Sequence, residues 1–220
     1  MTLAIAGGGG RKDSILIDRH FAGWIGPEGT LLYIPAALGW PEGRYAEAYE
    51  WVRGVFEPYG ISRIEMWTSL DDHHPDALFG FSGVYLGGGN TFRLLDNLRR
   101  TGFDEALADF ASADGPIYGG SAGAVVLGRS IATVDHLDAN EVGLTDTAGL
   151  NLLDGASAWV HYTDDQRSLV AAYRQSHPED LLVMSERSGI VRTPDGWRSV
   201  GYEPAFIVDD TGWRALPEKG

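Results

Sequence analysis

The sequence predicts an α/β fold, a three-layer sandwich in which helices cover both faces of a mostly parallel sheet. Three observations favour this class. Short apolar, β-rich runs alternate with longer amphipathic stretches, and these stretches end at Gly or Pro, which is typical of repeated βαβ units. The length of 220 residues suits one domain, spanning 1–220, better than two.

Five strands and two helices are predicted in the first part of the chain. The strand runs are apolar along their whole length, as expected where helices cover both faces of a parallel sheet. They are Leu3–Ala6, Thr30–Pro35, Ile61–Trp67, Val84–Leu86 and Pro116–Tyr118. Between them, Pro41–Tyr59 carries apolar residues at three- and four-residue spacings, and Phe92, Leu95 and Leu98 repeat this pattern after Asn90. Both stretches are therefore predicted to be helices that face the sheet.

The later part of the chain predicts more strands and two hairpins. Ala158–Val160 and Leu181–Met184 have the composition of buried strands. The hairpins are Gly189–Tyr202, turning at Pro194-Asp195-Gly196, and Ala205–Leu216, turning at Asp209 to Gly212. We expect both hairpins to form antiparallel edge strands on the mostly parallel sheet.

Composition excludes several classes of function. Asp and Glu number 31 against 17 Lys and Arg, a formal charge of −14, which argues against binding to nucleic acid or to an anionic membrane. Cysteine is absent, so disulfides, thiolate zinc sites and thiol nucleophiles are excluded. The chain shows neither a secretory signal nor an apolar run long enough to span a bilayer, and we expect a cytoplasmic protein.

The strongest motif is Gly119-Gly120-Ser121-Ala122-Gly123, which follows a predicted strand and precedes an apolar run. It fits the G-x-S-x-G nucleophile elbow, a sharp turn that exposes a serine hydroxyl beside the N–H groups of the next helix. A glycine-rich phosphate loop, or a tight turn with serine as a helix cap, fits the same letters.

A second glycine run, Gly87 to Thr91, follows the neighbouring predicted strand and includes Gly88, Gly89 and Asn90. Glycines there let a backbone N–H approach a substrate carbonyl, so this loop is predicted to supply an oxyanion donor beside that of Ala122. A phosphate loop is the alternative, but the lysine of a P-loop is missing. Gly7 to Gly10 suits a phosphate or a tight turn equally, and we assign it no cofactor.

A serine nucleophile needs a base, and His161 is the preferred candidate because the predicted strand before it ends at the same sheet edge. His136 is the rival. The base in turn needs a carboxylate to orient it. The candidates for that role are Asp135, Asp138, Asp164 and Glu186.

Two motifs together resemble a known family. Tyr85–Phe92 and Gly119–Ala124 are similar to the corresponding motifs of the dipeptidase E and cyanophycinase family of serine peptidases. Val160–Thr163 resembles the family's His-aromatic segment, and Met184–Glu186 resembles its Glu-bearing strand. The resemblance covers most of the chain from about the second predicted strand onward.

The resemblance implies a class I glutamine amidotransferase-like domain with a flavodoxin-like sheet and no cofactor. By position, Ser121, His161 and Glu186 take the roles of nucleophile, base and acid, and Asp135 ranks second as the acid. The implied reaction is acyl transfer through an acyl-enzyme.

For the substrate, the resemblance implies a dipeptide or another small peptide amide, with N-terminal Asp-Xaa and a cyanophycin-like amide among the candidates. Asp164 stands where the family leads us to look for an arginine, so Thr163, Arg167 and Arg187 are the predicted substrate contacts. Pairing of the C-terminal strands would give a homodimer.

Two other functions are alternatives to a serine peptidase. One is a non-peptidase protein that binds or senses a small molecule on the same scaffold. The other is metal-dependent hydrolysis, although the spacing of the available ligands matches no known metal motif. Those ligands are His73, His74, His136, Asp135 and Asp138.

Overall fold

The computed structural model describes residues 1–41 and 44–219, and in these ranges it shows eleven strands and six α-helices. The strands are β1 Leu3–Ala6, β2 Thr30–Ile34, β3 Arg63–Met66, β4 Gly83–Leu86, β5 Ile117–Gly120, β6 Ser157–Trp159, β7 Leu181–Val183, β8 Ser188–Thr193, β9 Gly196–Gly201, β10 Phe206–Asp209 and β11 Gly212–Ala215. The helices are α1 Ile15–Ile25, α2 Tyr45–Phe56, α3 Thr91–Thr101, α4 Phe103–Ser112, α5 Ala122–Val126 and α6 Arg167–Ser176.

The main sheet has seven strands in the order β3-β2-β4-β5-β1-β8-β9. The first five are parallel, and β8 and β9 extend the sheet as an antiparallel edge. When β2 is counted as the first strand, β3-β2-β4-β5 has the order of a flavodoxin-like sheet, and β1 takes the place of its last strand. The α/β class and the mostly parallel sheet predicted from the sequence are confirmed.

Helices pack on both faces because successive strand residues point to opposite sides. On one face, Leu3 and Ile5 of β1 join the apolar side chains of α3, α4 and α5. On the other face, Ala4 and Ala6 join those of α1 and α2. This arrangement gives three layers, with the carboxyl ends of β1, β2, β4 and β5 at one edge.

The helix expected over Pro41–Tyr59 is α2 followed by a 3-10 turn at Glu57–Tyr59, and residues 42–43 of that range lie outside the described residues. Of its apolar stripe, Tyr45, Val52 and Phe56 are buried and Tyr49 is half-buried. No helix in the two described ranges is both long and apolar enough to cross a bilayer.

The second hairpin differs from expectation. The hairpin β8–β9 extends the main sheet as predicted, whereas β10–β11 belongs to a separate four-stranded sheet in the order β11-β10-β7-β6. β10 pairs with the edge of β7 that β6 leaves free, rather than with the outer edge of β9. An aromatic cluster of Trp159, Tyr162, Phe206 and Trp213 packs around Val170 of α6 and stabilises this second sheet.

Candidate active site

Ser121 lies in the turn that joins β5 to α5, and its backbone adopts φ 51° and ψ −114°. Such a conformation is costly for a residue with a side chain and persists only where neighbouring contacts hold it. The Ser121 N–H donates to the Ala6 carbonyl at 3.0 Å, and the Ser121 carbonyl accepts from the Ala124 N–H at 2.8 Å. A Cβ on Gly123 would lie 2.1 Å from the Leu86 carbonyl oxygen, so only glycine lets α5 begin this close to β4.

Three side chains form a hydrogen-bonded chain at this edge. The Ser121 Oγ lies 2.8 Å from Nε2 of His161, and Nδ1 of His161 lies 3.1 Å from Oε1 of Glu186. An ionised carboxylate only accepts hydrogen bonds, so Nδ1 carries the proton that is donated to Glu186. Nε2 is then free to accept the Ser121 O–H. The Glu186 side chain is 60% exposed, and that of His161 is 31% exposed.

Both sheets contribute to this chain of contacts. Ser121 follows β5 of the main sheet, whereas His161 and Glu186 follow β6 and β7 of the smaller one. The His161 N–H donates to the Gly7 carbonyl at 2.9 Å, which ties the end of the smaller sheet to the end of β1.

Gly8 lies directly against the reacting groups. It has φ 109°, and a Cβ there would lie 2.3 Å from Cε1 and 2.6 Å from Nε2 of His161, and 3.0 Å from Cβ of Ser121. The sequence predicts no role in the site for Gly7 to Gly10. A signal for such a role is the position of the glycine run directly after β1, the strand that pairs with β5.

The predicted oxyanion loops lie beside the serine. A Cβ on Gly88 would lie 3.2 Å from Cβ and 3.7 Å from Oγ of Ser121, whereas Gly89, at φ 135°, packs against the backbone of Ala37. Among the described residues, the amides of Gly88, Gly89 and Ala122 donate no hydrogen bond within the protein. Such free amides could bind a developing negative charge, and of the two loop glycines it is Gly88 that lies against Ser121.

Beside Ser121 opens a cavity of about 410 Å³ with aromatic walls. Tyr33, Tyr85 and Tyr118 lie in register on β2, β4 and β5 and form a row of rings across the sheet. The Tyr85 and Tyr118 rings stack with centroids 4.6 Å apart. Trp40 and Trp51 supply further walls. No local pattern in the sequence predicts this pocket.

Behind the cavity lies a buried carboxylate. Asp18 of α1 is 3% exposed and accepts hydrogen bonds from the Tyr118 hydroxyl at 2.9 Å and the Ser14 hydroxyl at 2.7 Å. Burial raises the pKa of Asp18 to about 6, although the two hydroxyl donors act in the opposite direction.

Comparison with known proteins shows the family to which the chain belongs. The profile of peptidase family S51 matches residues 2–193. The chain belongs to peptidase family S51. An uncharacterized peptidase of Listeria innocua is 32% identical over 174 residues, which cover 71% of this chain and 81% of the relative. A Peptidase E of Shewanella baltica is 36% identical over 160 residues, or 67% of each chain.

The fold of this S51 peptidase also has a solved counterpart. The crystal structure of a peptidase from an acI-B1 Actinobacterium aligns with a TM-score of 0.75 at 17% identity, covering 100% of this chain and 95% of the other. At that identity the likeness concerns the fold alone.

The other candidate catalytic residues of this S51 peptidase lie apart from Ser121. Asp135 follows the 3-10 turn Ala132–Val134, and no hydrogen bond or ion pair within the described residues joins it to His161. The rival base His136 stacks on Trp159 with centroids 4.9 Å apart, and burial lowers its pKa.

The candidate binding residues have other partners. Asn90 caps α3 by accepting from the Arg93 N–H at 2.9 Å, and its amide donates to the Ala139 carbonyl at 2.8 Å. Thr163 is exposed at the start of a 3-10 turn. The Arg167 guanidinium lies 4.4 Å from the centre of the Trp213 ring, against the smaller sheet.

Arg187 lies near the site but is already paired. Its guanidinium is 3.5 Å from Asp13 and 3.5 Å from Glu203. Asp164 accepts a long hydrogen bond, 3.4 Å, from the Tyr162 hydroxyl.

The residues considered for a metal site are dispersed. His73 stacks on Trp67, Nδ1 of His74 accepts from the Asp76 N–H, and Asp138 accepts from the Thr91 N–H at the start of α3. Within the described ranges, no group of three or more His, Cys, Asp or Glu side chains could hold a metal ion.

Proposed function

We propose that this S51 peptidase is a serine hydrolase of dipeptides or other short peptide amides, with Ser121 as nucleophile, His161 as base and Glu186 as the orienting acid. The observation that carries the proposal is the hydrogen-bonded chain from the Ser121 Oγ through both ring nitrogens of His161 to Glu186. Ser121 is half-buried at the turn between β5 and α5, with its hydroxyl facing His161, and the His161 ring has the orientation that a base requires.

In the first half of the reaction, the Ser121 Oγ forms a bond to the substrate carbonyl carbon as its proton passes to Nε2 of His161. The negative charge that develops on the carbonyl oxygen is stabilised by the amides of Gly88 or Gly89 and of Ala122. One such donor typically contributes about 3 kcal/mol to lowering the barrier. The carbon–nitrogen bond then breaks, and Nε2 returns the proton to the leaving amine.

In the second half, water attacks the acyl-enzyme. His161 takes a proton from that water, and the same amides hold the second oxyanion. When the ester bond breaks, Nε2 returns the proton to the Ser121 Oγ and a carboxylic acid leaves. Glu186 stays ionised throughout and stabilises the imidazolium that forms in each half.

The test compares the wild type with Ser121→Ala on a dipeptide panel that includes Asp-Xaa members and an aspartyl-arginine side-chain amide. A fluorophosphonate probe supplies a second measurement, since it labels only an activated serine. We expect hydrolysis and one label at Ser121 in the wild type, and a loss of at least about 10³-fold in kcat/KM with no label in the variant. A folded wild type that neither hydrolyses nor labels would instead favour a protein that binds a small molecule on this scaffold.

A further inference from the structure

The aromatic cavity beside Ser121 has a defined position relative to the reacting groups. Gly88, Gly120 and Ser121 line it, whereas His161 and Glu186 do not. In the proposed reaction, Nε2 of His161 gives its proton to the leaving amine, so the leaving group must lie on the His161 side of the serine. The cavity begins at Gly8, Gly88 and Ser121 and is not lined by His161, so it is the space available to the acyl part of the substrate.

The walls of the cavity are apolar and ring-lined. Trp51 of α2 lies 6.5 Å from Tyr33 and 6.1 Å from Tyr85, measured between ring centroids. Ala48 of the same helix and Leu38 also line the cavity. A volume of about 410 Å³ lies within the range of sites that enclose small ligands.

Two glycines let the phenol rings reach the reacting loops. A Cβ on Gly87 would lie 2.9 Å from the Tyr33 hydroxyl oxygen, and one on Gly120 would lie 2.8 Å from the Tyr85 hydroxyl oxygen. The pocket floor therefore continues directly into the loops that carry the nucleophile and the predicted oxyanion donors. An aromatic side chain of the substrate bound in this cavity would contact the faces and edges of these rings close to the scissile bond.

The charges around the cavity disfavour an acidic side chain. No Arg or Lys is among the described residues that line it, and the one charged lining residue is Glu47 at the α2 wall. Arg44 covers the Trp40 ring at 4.4 Å but is paired with Glu47 at 3.5 Å. Behind Tyr118 lies the Asp18 carboxyl. A substrate carboxylate inside the cavity would thus lose water without contacting a cation among the lining residues, a free-energy cost that apolar groups do not incur.

We infer that this cavity is the specificity pocket for the acyl residue of the substrate, and that it selects a large uncharged side chain, aromatic or long aliphatic, over aspartate. The inference rests on the proposed serine peptidase function and adds its substrate class. Trp51 and Tyr85 provide the stacking surfaces, and the small side chain of Ala48 leaves the room between them.

The experiment measures kcat/KM for matched dipeptides that differ only in the N-terminal residue, which is Phe, Leu, Ala, Asp or Lys. It uses the wild type, Ala48→Leu and the matched control Ala46→Leu. Ala46 lies on the same helix but is exposed and does not line the cavity. We expect the wild type to prefer Phe and Leu over Asp by at least about tenfold, in line with the usual discrimination by apolar pockets.

In Ala48→Leu, the ratio of kcat/KM for the Phe substrate to kcat/KM for the Ala substrate should fall at least about tenfold, because the added atoms occupy the pocket. Ala46→Leu should keep the wild-type ratio. A wild type that prefers Asp or Lys, or an unchanged ratio in Ala48→Leu, would overturn the inference and leave the proposed function standing. A wild type that labels at Ser121 yet hydrolyses only the Ala substrate would also overturn it. A wild type that is neither labelled nor able to hydrolyse any of the dipeptides would overturn the inference and the proposed function together.

Discussion

Ser121 and His161, whose side chains meet at 2.8 Å, donate their backbone N–H groups to the carbonyls of two consecutive residues, Ala6 and Gly7. Both have positive φ, 51° and 53°, and only three other described non-glycine residues do. Such strain persists only where surrounding contacts enforce it. The end of β1 is therefore the common anchor that brings residues from two sheets to one point.

The first prediction concerns Gly8, the residue after this anchor. In Gly8→Ala, the new methyl group would overlap the His161 ring and force the imidazole away from Ser121. A displacement of about 1 Å can lower a rate about 10²-fold, so we expect kcat to fall by at least that factor with the fold retained. Steady-state kinetics and circular dichroism would measure the two effects.

Gly10→Ala is the matched control for Gly8→Ala. The nearest atom to a Cβ on Gly10 is the Asp13 Oδ2 at 3.6 Å, an ordinary contact. We expect its activity to stay within about threefold of the wild type. Equal losses in the two variants would show that the loop tolerates no side chain anywhere, and the specific contact with His161 would then be the wrong explanation.

The second prediction separates the two candidate acids. Glu186→Gln removes the charge that stabilises the imidazolium and the acceptor that fixes its tautomer. Loss of a buried acid in this role costs about 10⁴-fold. Because the Glu186 side chain is 60% exposed, water replaces part of its effect, and we expect a smaller loss in kcat/KM of about 10²-fold.

Asp135→Asn serves as the comparison, since no described contact joins Asp135 to His161. Its kcat/KM should remain within about threefold of the wild type. The opposite ranking, with Asp135→Asn the weaker enzyme, would reassign the acid.

Much of this site followed from local sequence signals. The residues Gly119 to Gly123 predicted the turn at Ser121, and the close approach of α5 to β4 excludes a side chain at Gly123. The proximity of His161 was predicted from the strand before it. What the sequence could not reveal was the second sheet, because the partner of each strand is set by which edge is free, and the sequence of β10 does not encode that choice.

The aromatic pocket was missed for a related reason. Tyr33, Tyr85 and Tyr118 each look like core residues within their own strand. Their shared position emerges only from the register between β2, β4 and β5. Long-range register, rather than local propensity, decides whether three buried rings fill a core or line a cavity.

The third prediction uses two glycines of α1 that have open space around them. Gly23 lies on the exposed face of the helix, and Gly23→Ala should raise the free energy of unfolding by about 0.5–1 kcal/mol, because alanine loses less backbone entropy on folding. Gly26 caps the helix at φ 73° and ψ 161°. Gly26→Ala should lower the free energy of unfolding by about 1–3 kcal/mol, because a residue with a side chain is strained in this conformation. Urea unfolding of both variants would test whether the free energy of unfolding rises in Gly23→Ala and falls in Gly26→Ala.

The fourth prediction concerns the buried Asp18. Burial raises its pKa from 3.8 to about 6, so the folded chain binds this proton more tightly than the unfolded chain does. Asp18 therefore makes the free energy of unfolding decrease as the pH rises from about 4 to 6, and the loss is complete above that range. The pKa difference corresponds to about 3 kcal/mol.

The measurement is urea unfolding from pH 4 to pH 8 of the wild type, Asp18→Asn and the control Asp109→Asn. Asp109 lies on the exposed face of α4, so its variant should follow the wild-type curve. Asp18→Asn cannot ionise at this position, so its free energy of unfolding should rise relative to that of the wild type by about 2 kcal/mol between pH 4 and pH 8. Parallel curves would mean that the hydroxyls of Tyr118 and Ser14 compensate fully for burial of the charge. In that case the carboxylate behind the pocket would carry no penalty at neutral pH.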